Sequence, residues 1–188
     1  QTMYGPTDLK KNVLITLDGQ PYKVVEYSQK VMGRGGSIVN VKVKNLITGA
    51  LLPKTFKGQE KIEPAEVTTK KVQYLYRDDE RFYFMDPETF EQYELSAEMV
   101  GDAKDFMRDG DEMEIQFYNG TAINLVLPKN IWLKVTYTET AVKGDTTSSV
   151  QKDATLETGV VIKVPAFIKT GDVVSVDTET YAYRERQK

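Results

Sequence analysis

The chain has no cysteine and no histidine among its 188 residues, and only one tryptophan. Without cysteine there are no disulfides and no thiolate metal sites. Without histidine the commonest general base and the commonest metal ligand are gone, and the best nucleophile went with cysteine. Carboxylates remain as chemistry-bearing groups, but no acid pair is singled out by its spacing, so a carboxylate-based hydrolase stands last among the readings. Asp78-Asp79-Glu80 and Asp109-Gly110-Asp111 lack the spaced oxygens and closing glutamate of a calcium loop. We therefore expect no catalytic residue, no metal and no cofactor. A run of about eighteen apolar residues, the minimum for a membrane helix, is missing, as is a basic segment followed by an apolar one near the start. The expected compartment is the cytoplasm, with no membrane partner and a monomeric state.

At 40% hydrophobic and 28% charged, the sequence is that of a globular chain with room for one large domain or two or three small ones. Its net charge of −3 is unevenly spread when the chain is cut near Pro64 and Pro128. Residues 1–64 hold ten Lys or Arg against five Asp or Glu, 65–127 hold six against fifteen, and 128–188 hold nine against eight. A basic first third points to a polyanion, because phosphate contacts supply most non-specific nucleic-acid affinity. The acidic middle third should face away from it, though a solvated basic face without a partner has the same composition.

Within the basic third, Tyr22 to Tyr27 is β-rich, and Val39, Val41 and Val43 alternate with Asn40, Lys42 and Lys44, the period of a half-buried strand. Between them lies Lys30-Val31-Met32-Gly33-Arg34-Gly35-Gly36-Ser37, one arginine among three glycines. The pattern predicts a hairpin whose loop, from Ser28 to Ser37, is about ten residues and exceeds the two to five that closure requires. Such a loop presents Arg34, although a flexible turn carrying a solvated arginine fits it equally well. A phosphate-cradling loop does not fit, because a strand and not a helix follows. Val13 to Leu17, turning at Asp18-Gly19, and Leu51 to Phe56 complete a small barrel.

The middle third predicts strands at Val67 to Tyr76, Arg81 to Met85, Met113 to Tyr118 and Ala122 to Leu127. A short helix capped by Ser96 and interrupted at Gly101 runs towards Met107. An echo joins it to the last third at an offset of 61 residues. Phe106, Gly110, Asp111, Met113 and Ile115 match Phe167, Gly171, Asp172, Val174 and Val176; Val72, Tyr74 and Tyr76 match Leu133, Val135 and Tyr137; Leu95 matches Leu156. Two copies of one barrel, of the size of an oligonucleotide-binding (OB) fold, account for it, the alternative being chance matching in β-rich sequence. Trp132 and most tyrosines are expected in cores or at barrel rims.

The run from Lys152 to Gly171, containing Ala154, Gly159, Ile162, Val164-Pro165 and Ile168, resembles the signature of bacterial elongation factor P. The likeness extends over Asp18-Gly19, the hairpin as far as Asn45-Leu46, and the ending with Asp177-Thr178, Tyr183 and Arg186. It implies an all-β chain: an SH3-like (KOW-type) domain over 1–64, then OB barrels over 65–127 and 128–188, arranged as an L resembling transfer RNA. It implies a factor that binds the ribosome, both its RNA and its proteins, between the peptidyl and exit sites. There it would speed peptide-bond formation at consecutive prolines. Arg34 would approach the acceptor end of the peptidyl-tRNA, with Lys30, Met32, Gly33, Gly35, Gly36, Lys42 and Lys44 as the tip and RNA-binding set. Gly144, Asp145 and Thr146 match a loop near the small subunit and messenger, and Tyr183 and Arg186 would meet RNA. Many members carry Lys-Pro-Gly-Lys-Gly at the tip with a modified lysine. Met32 and Arg34 depart from that, so lysylation does not fit, and whether a modifying enzyme is a partner stays open. The rival readings are an elongation-factor-P-like paralogue and a general single-strand RNA-binding OB protein, the latter opposed by the acidic middle third.

Overall fold

Alternating apolar residues drive three five-stranded sheets in a computed structural model, which describes residues 2–31, 33–141 and 150–188. The first sheet contains β1 (Leu14–Leu17), β2 (Gln20–Val31), β3 (Ser37–Asn45), β4 (Leu51–Lys57) and β5 (Glu63–Pro64), in the order β4-β3-β2-β1-β5. Asp18 and Gly19 take φ of 51° and 74°, the left-handed pair that a two-residue hairpin turn needs. Asn45, 4% exposed, closes the β3–β4 turn by accepting from the amides of Ile47 and Thr48 at 2.8 and 3.0 Å. Leu9, Ile15, Val24, Val39, Val41, Val43 and Phe56 fill the core beneath.

The second sheet contains β6 (Thr68–Arg77), β7 (Arg81–Met85), β8 (Gln92–Ser96), β9 (Glu112–Tyr118) and β10 (Thr121–Val126), ordered β8-β7-β6-β9-β10. The third contains β11 (Asn130–Thr138), β12 (Gln151–Leu156), β13 (Val161–Pro165), β14 (Val173–Asp177) and β15 (Tyr183–Arg186), ordered β13-β12-β11-β14-β15. The two orders are the same, third-second-first-fourth-fifth, so the echo reflects a shared topology. It holds on first strands, β6 against β11, and on fourth strands, β9 against β14. It fails at Leu95, which lies on a third strand while Leu156 lies on a second. Both are buried leucines, and residue type alone could not separate them.

The predicted helix is a single turn, α1 (Ala97–Val100), with the Ser96 hydroxyl accepting from the Met99 amide at 3.1 Å. Gly101, at φ of +53°, diverts the chain into a 3₁₀ stretch as far as Phe106. Trp132 is 39% exposed; Tyr76 and Tyr137, at 55% and 62%, are more so, whereas Tyr22 and Tyr74 are buried.

The chain gathers into two compact units, Gln1–Thr69 with Gln116–Asn124, and Lys70–Ile115 with Leu125–Lys188. In the first unit, Lys23 Nζ donates to Asn124 Oδ1 at 3.1 Å and the Tyr118 hydroxyl to the Gly19 carbonyl at 3.2 Å. In the second, Phe106 enters the core built by Leu133, Val135, Leu156, Ile168 and Val174. Arg108 bonds Asp111 and, at 3.0 Å, Glu157, while Asp105 accepts from the Tyr181 hydroxyl at 3.0 Å. Asp177, 3% exposed, is held well below the usual carboxylate range by Arg184 at 2.7 Å and by the Thr180 and Glu179 amides. Among the described residues no helix is long and apolar enough to cross a membrane.

Candidate functional site

The hairpin differs from its predicted form in where its length lies. Strand pairing continues from Tyr22↔Asn45 out to Val31↔Ser37, so the segment read as a ten-residue loop is mostly ladder. Ser28 to Lys30 are polar enough to resemble a loop, yet each, like Val31, finds a β3 partner for its backbone. Beyond the Val31↔Ser37 pair, Gly33–Gly35 form one 3₁₀ turn. At about 3.3 Å per residue, β2 spans roughly 36 Å, and its far end carries the tip. A strand ladder holds an arginine at a defined distance, which a glycine-rich loop of the same length would not.

Arg34 is exposed on that turn, and among the described residues no ion pair holds it. Gly33 and Gly36 take φ of +36° and +79° with open space where a Cβ would stand, so backbone conformation and not crowding requires glycine there. Behind the turn, the Gln29 amide donates to Ser37 Oγ at 2.9 Å, tying the two arms together, and within β2 the Tyr27 hydroxyl donates to Gln29 Oε1 at 3.3 Å. The Lys10 ammonium lies 4.0 Å from the Tyr27 ring centroid.

Register sorts the basic residues. Val39, Val41 and Val43 face the core, so Lys42 and Lys44 share the opposite face of β3, and Lys30, paired with Ile38, shares it too. Ile38 pairs on its other side with Lys57, giving the cross-strand row Lys30-Ile38-Lys57 next to the tip. Sequence reasoning missed Lys57, and the signal that finds it is the β3–β4 register. Glu26 stands opposite Lys42 and offsets part of its charge. A cleft lined by Thr16, Gly19, Glu63, Glu66, Phe117 and Tyr118 lies at the other end of β2 from Arg34, and its two carboxylates suit no anion.

Two further predicted residues, Tyr183 and Arg186, do not join this site. Tyr183 packs against the third sheet's core, where burial raises its phenol. Arg186 lies 5.3 Å from the Phe167 ring centroid and 4.0 Å from Asp172, so both are engaged within their own barrel. Met32, Gly144, Asp145 and Thr146 lie outside the described residues.

Comparison with known proteins covers nearly the full chain. The elongation factor P (EF-P) KOW-like domain matches residues 7–62, the EF-P OB domain 67–125 and the elongation factor P C-terminal domain 131–186. Elongation factor P of Moorella thermoacetica is 44% identical over 98% of this chain and 100% of its own length. That of Thermotoga maritima is 45% identical over 94% and 95%, and elongation factor P 2 of Geobacter sulfurreducens is 41% identical over 99% and 100%. With three consecutive domain matches and identities above 40% along the whole length, this three-domain β chain belongs to the elongation factor P family of translation factors.

Proposed function

We propose that this protein binds the ribosome between the peptidyl and exit sites and speeds peptide-bond formation at consecutive prolines. Its three domains, bounded near residues 64 and 127, act as a monomer in the cytoplasm. Arg34 reaches the acceptor end of the peptidyl-tRNA, and Lys30, Lys42, Lys44 and Lys57 anchor the finger on RNA backbone. No side chain of the factor forms or breaks a bond. A prolyl substrate is slow when its reacting end samples unproductive geometries, and a bound finger restricts that sampling, turning binding energy into orientation. Each tenfold in rate needs only about 1.4 kcal/mol of barrier, which charge-assisted contacts from one guanidinium to phosphate can supply. In the same reading, Gly144, Asp145 and Thr146 face the small subunit and messenger, and Arg186 and Tyr183 lie near RNA.

The observation that carries this reading is the exposed Arg34 on a short turn at the end of a long ladder, backed by lysines on one face. Arg34→Ala is expected to bind ribosomes within about threefold of the parent, since one phosphate contact of several is lost, yet to lose relief of stalling. The measurement is synthesis of a polyproline reporter in a purified translation system alongside a ribosome-binding assay. Normal polyproline synthesis by the variant would refute the role of Arg34.

A further inference from the structure

The second sheet carries an aromatic platform that neither the family matches nor the finger accounts for. Tyr74 and Tyr76, two residues apart on β6, would share one face of a regular strand. Tyr74 is 3% exposed and packs on Phe82 and Phe84 in the core. Between Tyr74 and Tyr76 the register shifts: Tyr74 pairs with Phe84, then Tyr76 with Tyr83, leaving Leu75 as the extra residue. This bulge turns Tyr76 to the outer face, where its ring stacks on Tyr83 at 4.6 Å and 22° and remains 55% exposed. The third sheet shifts register at the matching place, between Val135 and Tyr137, and Tyr137 is 62% exposed. Thr155 stands opposite Tyr137 where Tyr83 stands opposite Tyr76, so only the second sheet turns the duplicated bulge into a stacked pair.

The surroundings of the pair are acidic. Tyr83 pairs across β8 with Glu94, which makes Tyr76-Tyr83-Glu94 one row over three strands. Asp78, in the β6–β7 turn, accepts from the Tyr83 hydroxyl at 2.9 Å and from the amides of Glu80 and Arg81. From 78 to 94 the chain holds seven carboxylates and one arginine, Arg81, which is 3.4 Å from Glu94. A nucleic acid stacking on this platform would bring phosphates against those carboxylates. An arginine does the reverse: its guanidinium lies over a tyrosine face and its charge meets the acidic rim.

We infer that the outer face formed by Tyr76, Tyr83 and Glu94 docks a basic, arginine-bearing segment of a partner protein. The ring supplies the seat, and the carboxylates supply the choice of a cation over a polyanion. This surface is independent of the Arg34 finger, and its test does not depend on peptide synthesis.

The test titrates isotopically labelled full-length protein, by NMR, with a short peptide alternating arginine and glycine and separately with a short single-stranded RNA. The peptide is expected to shift the signals of Tyr76, Tyr83 and Glu94 ahead of the rest of the acidic third, and the RNA to leave them in place. Tyr76→Ser keeps every charge and is expected to weaken the peptide about tenfold, while Tyr76→Phe, which keeps the ring, restores binding to within about twofold. Equal peptide affinity in Tyr76→Ser would overturn the inference by reducing the contact to bulk charge. Shifts at Tyr76 with RNA, weakened by the same substitution, would overturn it in favour of a base-stacking platform.

Discussion

Tyr181 shows how much a single phenol contributes at the joint inside the second unit. Its hydroxyl donates to Asp105 Oδ2 and its ring lies 4.8 Å from that of Phe106. Burial first, and then the bond to Asp105, push its pKa up to about 12. Only the protonated phenol donates, so the folded state prefers it, and the folded value lies above the ordinary tyrosine value of about 10. The stabilisation is therefore complete below about pH 10 and is lost as pH rises from there through the folded value. We expect the phenolate absorbance of the parent, minus that of Tyr181→Phe, to show one group titrating well above the ordinary tyrosine value. The melting temperature of the parent should also fall more steeply than the variant's in the same window. A difference titration centred near 10 would show that the phenol is not held. The sequence reading put most tyrosines in cores and rims, which suits half-buried Tyr181. Tyr76 and Tyr137 are its exceptions, because a bulge changes the face of a residue without changing its type.

Among the elements, the β2–β3 ladder was half legible. Alternating valines marked β3 and its lysine face, and Asp18-Gly19 marked the turn before β2. The outer stretch of β2, Ser28-Gln29-Lys30, has no alternation to read, since all three residues are polar. Its strand character comes from pairing with β3, a tertiary cause. That correction places Lys30 and Lys57 in one row behind the tip. If they contact phosphates as proposed, the double substitution Lys30→Ala with Lys57→Ala should weaken ribosome binding. It should also lower the slope of log affinity against log salt by roughly 1 to 2, one counterion or so per lost contact. Binding measured over a series of salt concentrations checks this. An unchanged slope would remove the two lysines from the interface, whatever happens to Arg34.

Across the whole molecule, the two OB-type barrels share a strand order but differ in what their matched phenylalanines do. Phe106 and Phe167 stand 61 residues apart and were matched by type, yet Phe106 is 1% exposed and Phe167 56%. The residues that follow them, Met107 and Ile168, are both buried, so each barrel seats the second residue of the pair. The first is then free to point elsewhere. In the second barrel it enters the core of the third, and in the third it lies at the surface beside Arg186. Sequence comparison finds the repeat but not this difference, because it depends on which neighbour each barrel has. Truncation should therefore separate the two positions. Phe106→Ala removes a fully buried ring and leaves a cavity, and should cost about 3–5 kcal/mol. Phe167→Ala removes a half-exposed ring and one cation–π contact, and should cost about 1 kcal/mol or less. Guanidinium denaturation of both variants, followed by Trp132 fluorescence on β11, reads the loss in the third barrel directly. Equal costs at the two positions would mean that the second and third barrels are not joined through Phe106.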